Sequence, residues 1–134
     1  MDTLSDANDA RPHLLVIDDE PDLCAFVAEV AEMAGFVPIT ISDGREFASL
    51  DLTSIDAVVL DLSMPAPSGP EILLALGNAG CTAPVLLVSG FDTSLLEASA
   101  SLGRRRGANV VGTAQKPLRA ASLLSLLENL ATPT

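Results

Sequence analysis

The chain has 134 residues with 49% hydrophobic and 19% charged side chains, ample material for one packed domain and too little length for two comfortable ones. Its 18 acidic and 7 basic residues leave a formal charge of −11, which repels a phosphate backbone and argues against nucleic acid as a partner. No stretch approaches the roughly 20 apolar residues of a membrane span, and polar residues 1–11 carry no apolar signal core, so no membrane contact and a cytoplasmic location are expected.

Residues 1–12, rich in Asp, Ser, Ala and Asn, read as a flexible tail, residues 13–131 as a single domain, and residues 132–134 as a second short tail. The first strand is the apolar run HLLVI at 13–17, which ends in acids. From Pro21 onward Leu23, Phe26, Val27, Val30, Ala31 and Ala34 fall at helical spacing, with Pro21 placed for the first turn and Gly35 for the stop. VPITI at 37–41 is a second strand whose Pro38 points to a sheet edge. A short helix is expected over 45–50, then a third strand, AVVL at 57–60, running into Asp61.

A loop with Pro65 and Pro67 leads to Gly69, which opens a helix through Leu76. The fourth strand is PVLLV at 84–88, ending at Ser89. Ser94 with Glu97 forms a capping-box pattern ahead of a helix to about Arg106, stopped by Gly107. A fifth strand covers 109–112, and a last helix covers 119–130 with Leu123, Leu126, Leu127 and Leu130 on one face. Five apolar strands alternating with helices imply an α/β fold: a parallel sheet with helices on both faces. With four Phe and no Trp or Tyr, the core must come from Leu, Val, Ile and Ala. Cys24 and Cys81 lack C-x-x-C spacing and are expected to be buried, reduced thiols.

Chemistry gathers at the carboxyl ends of the strands: Asp18, Asp19 and Glu20 after the first, Asp61 after the third, Ser89 after the fourth, and Lys116 after the fifth. Several carboxylates brought to one crevice repel each other and call for a cation. An oxygen-rich cluster of this kind suits Mg²⁺. Lys116 offers a compact positive charge and Ser89 a hydroxyl, both suited to holding a phosphoryl oxygen.

The motifs VIDDEPDL at 16–23, VVLDLSMPAPSG at 58–69, LLVSG at 86–90 and QKP at 115–117 resemble, in order and spacing, the receiver domains of two-component response regulators, over residues 12–131. The resemblance implies a flavodoxin-like (βα)5 three-layer sandwich with strand order 2-1-3-4-5, and its ligand site beyond the carboxyl ends of the central strands. It also implies a phosphoacceptor rather than an enzyme, with chemistry confined to phosphorylation and dephosphorylation of Asp61. Asp61 would be the nucleophile. Asp19 and Asp61 would ligate Mg²⁺ with the Ser63 carbonyl, and Asp18 would act mainly through a metal-bound water. Lys116 would pair with the phosphoryl group or with Asp61, Ser89 would fill the switch hydroxyl position, and Lys116–Pro117 would be cis. The implied partners are a sensor histidine kinase or phosphotransfer protein, and a downstream protein or output domain.

Thr113 departs from this pattern, because receivers usually carry Tyr or Phe three residues before the Lys. Gly90 after Ser89 leaves the phosphoryl site open, and Phe91 follows it. Residues 88–127 are similar to receivers of regulators that carry an EAL-type cyclic-di-GMP phosphodiesterase domain, where a non-aromatic residue in that place is common. A rival reading is a constitutive adaptor or ligand-binding module that uses the same fold without phosphotransfer. A free-standing phosphoesterase is disfavoured, since neither a second catalytic acid in the right motif nor a substrate cap is present.

Three features have plain structural readings. His13 is expected to be structural. Arg104, Arg105 and Arg106 complement a helix C-terminal dipole, with a partner or an anionic ligand such as a cyclic dinucleotide as the other reading. Leu95, Leu96, Leu102 and Leu124 are core or, where exposed, part of a phosphorylation-dependent homodimer face formed by the helix after Ser94, the fifth strand and the last helix.

Overall fold

A computed structural model describes residues 10–90 and 93–131. It holds five parallel strands, β1 (His13–Ile17), β2 (Val37–Ile41), β3 (Ala57–Asp61), β4 (Pro84–Ser89) and β5 (Asn109–Gln115), in the order β2-β1-β3-β4-β5. Four α-helices flank the sheet: α1 (Pro21–Met33), α2 (Gly69–Asn78), α3 (Thr93–Arg105) and α4 (Ala120–Ala131).

An all-parallel sheet must be covered on both faces, and the alternation of side chains divides its residues into two cores. Leu15, Ile17, Val58, Leu60, Val85 and Leu87 meet Ile72, Leu73 and Leu76 of α2 and Leu96 and Ala100 of α3. Their sequence neighbours Leu14, Val16, Val59, Leu86 and Val88 meet Val27, Val30 and Ala31 of α1 and Leu123 and Leu127 of α4. Each fully buried Leu or Val in these layers contributes about 1.5–3 kcal/mol relative to exposure.

Most element boundaries agree with the sequence reading. Gly35 stops α1 with φ +95°, a left-handed conformation that favours glycine. Pro38 lies on β2, an edge strand. The Val37 N–H donates to the Pro12 carbonyl at 2.8 Å, so ordered pairing begins one residue earlier than the expected tail boundary. Residues 1–9 and 132–134 lie outside the described residues.

Four expectations are corrected. The segment after β2 is not an α-helix but two 3-10 turns, Gly44–Ser49 and Leu52–Ser54. Asp43 and Asp51 accept from the N–H groups of Arg45 and Thr53, and these local bonds compete with continuous helix. Helix α3 begins at Thr93, so Ser94 lies inside its first turn and is not the cap. The capping box is instead Ser68 with Glu71 at the start of α2, where each side chain accepts from the other residue's N–H. Strand β5 continues to Gln115: a register shift pairs Val85 with Val110 and Leu86 with Gly112, and Val111 is left 50% exposed. Cys24 is buried as expected, but Cys81, in the turn after α2, is only half-buried.

Candidate functional site

The sheet order places the ends of β1, β3, β4 and β5 side by side. Asp18 directly follows β1 and Asp61 is the last residue of β3; they are 5% and 1% exposed. Ser89 ends β4 and is buried, and its carbonyl accepts from the Lys116 N–H at 2.9 Å, which fixes Lys116 just beyond β5. The Lys116–Pro117 bond is cis, as the resemblance implies, and Ala66–Pro67 is cis as well.

Close packing holds the loop after Asp61. A Cβ on Gly69 would collide with the Leu62 backbone and the Asp61 carbonyl, so glycine is required where α2 begins against this loop.

The two buried carboxylates are held alike. Asp18 Oδ1 accepts from the Glu20 N–H at 2.9 Å, and Asp61 Oδ1 accepts from the Ser63 N–H at 2.9 Å. Their other oxygens face one ammonium: Lys116 Nζ lies 3.4 Å from Asp18 Oδ2 and 3.3 Å from Asp61 Oδ2. A third carboxylate reaches the same nitrogen from outside, with Glu20 Oε1 at 3.1 Å. Asp19 is exposed, and one oxygen each of Asp18, Asp19 and Asp61 can be found within 4.8 Å of one another.

Burial raises Asp18 to about 6; nearby Asp61 adds to the rise, while the Glu20 N–H and Lys116 oppose it. For Lys116, burial works against the charged form, but its bonds to Glu20 and Asp61 and the field of Asp18 hold it above the ordinary lysine value. The Cys24 thiol, pushed up to about 11 by burial, donates to the Asp18 carbonyl at 3.0 Å; it is a packing group, not a nucleophile.

Three carboxylates therefore share one ammonium, with Asp19 beside them, and the donor set consists of hard oxygens. Such a cluster fits Mg²⁺ with water retained. Above it opens a cleft of about 760 Å³, walled by Leu23, Phe26, Pro117 and Leu118, with Asp61 and Lys116 among its lining. A carboxylate at the base of an open cleft beside an ammonium can attack an electrophilic phosphorus presented from outside.

The structure brings together Asp18, Asp19, Asp61, Ser63, Ser89 and Lys116 as the sequence reading anticipates. That reading assigns no role to Glu20, although the triplet Asp18-Asp19-Glu20 carries the signal. Thr113, which pairs with Leu87, is exposed on β5. Phe91 lies outside the described residues.

The remaining candidates lie elsewhere. His13 donates its N–H to Asp56 Oδ2 at 2.8 Å at the opposite end of the sheet, in keeping with a structural role. Arg104 and Arg105 close the last turn of α3, where positive charge suits the dipole, and Arg104 Nε donates to the Val110 carbonyl at 2.9 Å. Leu96 is buried, Leu102 and Leu124 are half-buried, and Leu95 is 44% exposed. Among the described residues, no helix is long and apolar enough to cross a membrane.

Comparison with known proteins agrees with this geometry. The transcriptional regulatory protein CpxR of Escherichia coli (strain K12) is 34% identical over 82 residues, 61% of this chain and 35% of that protein. TcrA, a transcriptional regulatory protein of Mycobacterium tuberculosis, is 35% identical over 77 residues, covering 57% of this chain and 30% of its own length. The chain thus spans about a third of the length of these curated relatives. A response regulator from Colwellia psychrerythraea superposes with a TM-score of 0.81 at 27% identity, covering 91% of this chain and 98% of that one. The chemotaxis protein CheY4 of Vibrio cholerae shares the fold, with a TM-score of 0.78 at 22% identity over 90% of this chain and 99% of its own. Residues 14–128 match the family model of the response regulator receiver domain, a family of phosphoacceptor modules, and with the strand-end site in place the chain belongs to that family.

Proposed function

We propose that this receiver takes a phosphoryl group on Asp61, with Mg²⁺ held by the side chains of Asp19 and Asp61 and the carbonyl of Ser63, and by Asp18 mainly through a metal-bound water. The observation that carries this reading is the buried Asp61 carboxylate 3.3 Å from Lys116 Nζ at the floor of an open cleft. Bound Mg²⁺ would neutralise carboxylate charge and the charge of the incoming phosphoryl oxygens.

In the forward step an Asp61 carboxylate oxygen bonds to phosphorus as the phosphorus–nitrogen bond of a donor phosphohistidine breaks. The electron pair of that bond leaves with the imidazole nitrogen. Lys116 turns from Asp61 to a phosphoryl oxygen, and the Ser89 hydroxyl donates to another. Water later cleaves the aspartyl phosphate, which returns the Asp61 carboxylate and inorganic phosphate. Apart from this self-directed chemistry the domain is not an enzyme.

The donor is a sensor histidine kinase or a phosphotransfer protein, and the setting is the cytoplasm. The readout is the surface of α3, β5 and α4, where Leu95 and Val111 stand exposed, and it serves a downstream protein, an output domain or a phosphorylation-dependent homodimer. The domain itself contacts neither nucleic acid nor membrane, in keeping with its charge of −11. Thr113 and the surrounding segment favour a relationship to receivers of EAL-type regulators. A complete phosphoacceptor pocket disfavours the phosphorylation-independent adaptor.

The test is intact-mass analysis after incubation with acetyl phosphate and Mg²⁺. One phosphoryl adduct is expected on the wild type and none on Asp61→Asn. An unmodified wild type overturns the reading.

A further inference from the structure

We infer that Glu20 is a positioning residue for Lys116, which it holds toward the mouth of the cleft so that the ammonium does not close fully on Asp18 and Asp61. The inference rests on the proposed Mg²⁺ site and concerns what controls access to it.

Glu20 is the N-cap residue of α1, a position where Ser, Thr, Asp or Asn normally accepts a hydrogen bond from the first turn. Its side chain makes no cap bond. It accepts instead from Lys116 Nζ at 3.1 Å, the shortest of the three carboxylate contacts to that nitrogen, against 3.3 Å for Asp61 and 3.4 Å for Asp18. Glu20's side chain is 64% exposed, whereas Asp18 and Asp61 are at 6% and 1%, so the ammonium is drawn between an inner pair and one outer carboxylate. The backbone adds a second tie, since the Glu20 N–H donates to Asp18 Oδ1. One residue thus fixes an inner carboxylate through its main chain and restrains the competing ammonium through its side chain.

The consequence follows from charge. Lys116 and Mg²⁺ compete for Asp18 and Asp61. With Glu20 in place, part of the ammonium's charge is spent on the outer carboxylate, and the inner pair stays available to the metal. When Glu20 is neutralised, Lys116 settles inward and Mg²⁺ binds less well. For a partly exposed ion pair the effect is about two- to five-fold in affinity.

A double-mutant cycle separates this role from the through-space effect of one lost negative charge. Mg²⁺ affinity is measured by isothermal titration calorimetry for wild type, Glu20→Gln, Lys116→Met and the double variant, and thermal unfolding confirms folding of each. The expected result is a loss of about two- to five-fold for Glu20→Gln beside Lys116, and little or no loss in the Lys116→Met background. In Mg²⁺-free protein the Lys116 side-chain ¹⁵N resonance also shifts on Glu20→Gln and is largely restored by Glu20→Asp. An equal loss in both backgrounds, or none in either, overturns the inference while the Mg²⁺ site stands. A wild type that binds no Mg²⁺ overturns both.

Discussion

Lys116 Nζ sits 3.3 Å from Asp61 Oδ2 and 3.4 Å from Asp18 Oδ2, so a single ammonium bridges the last residue of β3 and the first residue beyond β1. It neutralises part of the charge that would otherwise make two adjacent buried carboxylates costly. It is also the cation that a divalent metal must displace. Replacing Lys116 by Met is therefore expected to raise Mg²⁺ affinity several-fold by calorimetry. The same change slows phosphorylation by acetyl phosphate by about two orders of magnitude, the usual cost of losing a positioned charge-stabilising donor.

The pH dependence follows from Asp18, which burial raises from 3.8 to about 6. Below about pH 4 the group is protonated in both the folded and the unfolded chain, and it costs nothing. As pH rises from about 4 to about 6 the unfolded chain releases its proton first, so in Mg²⁺-free protein this group lowers stability across that window. Urea unfolding at several pH values, with the Asp18→Asn variant as control, reads that slope. A proton on Asp18 also competes with the metal, so Mg²⁺ affinity rises with pH up to and somewhat beyond about 6 and then levels off.

Gly69 packs against the Asp61–Leu62 backbone with no room for a Cβ. Gly69→Ala is expected to lower stability by about 1–3 kcal/mol in urea unfolding. Because the collision is with the loop that carries the phosphoacceptor, Mg²⁺ affinity falls as well.

Leu127 is fully buried between α4 and the sheet, remote in role from the acidic pocket. Leu127→Ala is expected to cost about 2–5 kcal/mol in urea unfolding. Mg²⁺ affinity of the folded variant stays within about twofold of wild type, which separates support of the fold from support of the site.

Much of this organisation is legible in the linear sequence, because burial on both sheet faces writes itself as short apolar runs such as HLLVI and PVLLV. The helix spacing of Val27, Val30 and Ala31, and the acids, hydroxyl and Lys at the strand ends, are equally local signals. What escapes depends on contacts or on competition. The 3-10 turns after β2 arise because Asp43 and Asp51 hydrogen-bond their own backbone, which a pattern of apolar residues does not register. The register shift that leaves Val111 exposed is set by pairing with β4. At helix starts, Ser-x-x-Glu occurs twice, at Ser68 and at Ser94, and only the first is a cap, because α3 starts one residue ahead of Ser94. Glu20 was visible as the third acid of a triplet, but its partner lies 96 residues away.

The most direct measurement of the central claim is the amide NMR spectrum of the ¹⁵N-labelled protein with Mg²⁺, before and after beryllofluoride, in wild type and Asp61→Asn. Asp61 as phosphoacceptor predicts shifts in the wild type around Ser89 and out to Thr113 on β5, with the Asp61→Asn spectrum unchanged. A wild-type spectrum that does not respond, or an equal response in Asp61→Asn, would contradict it.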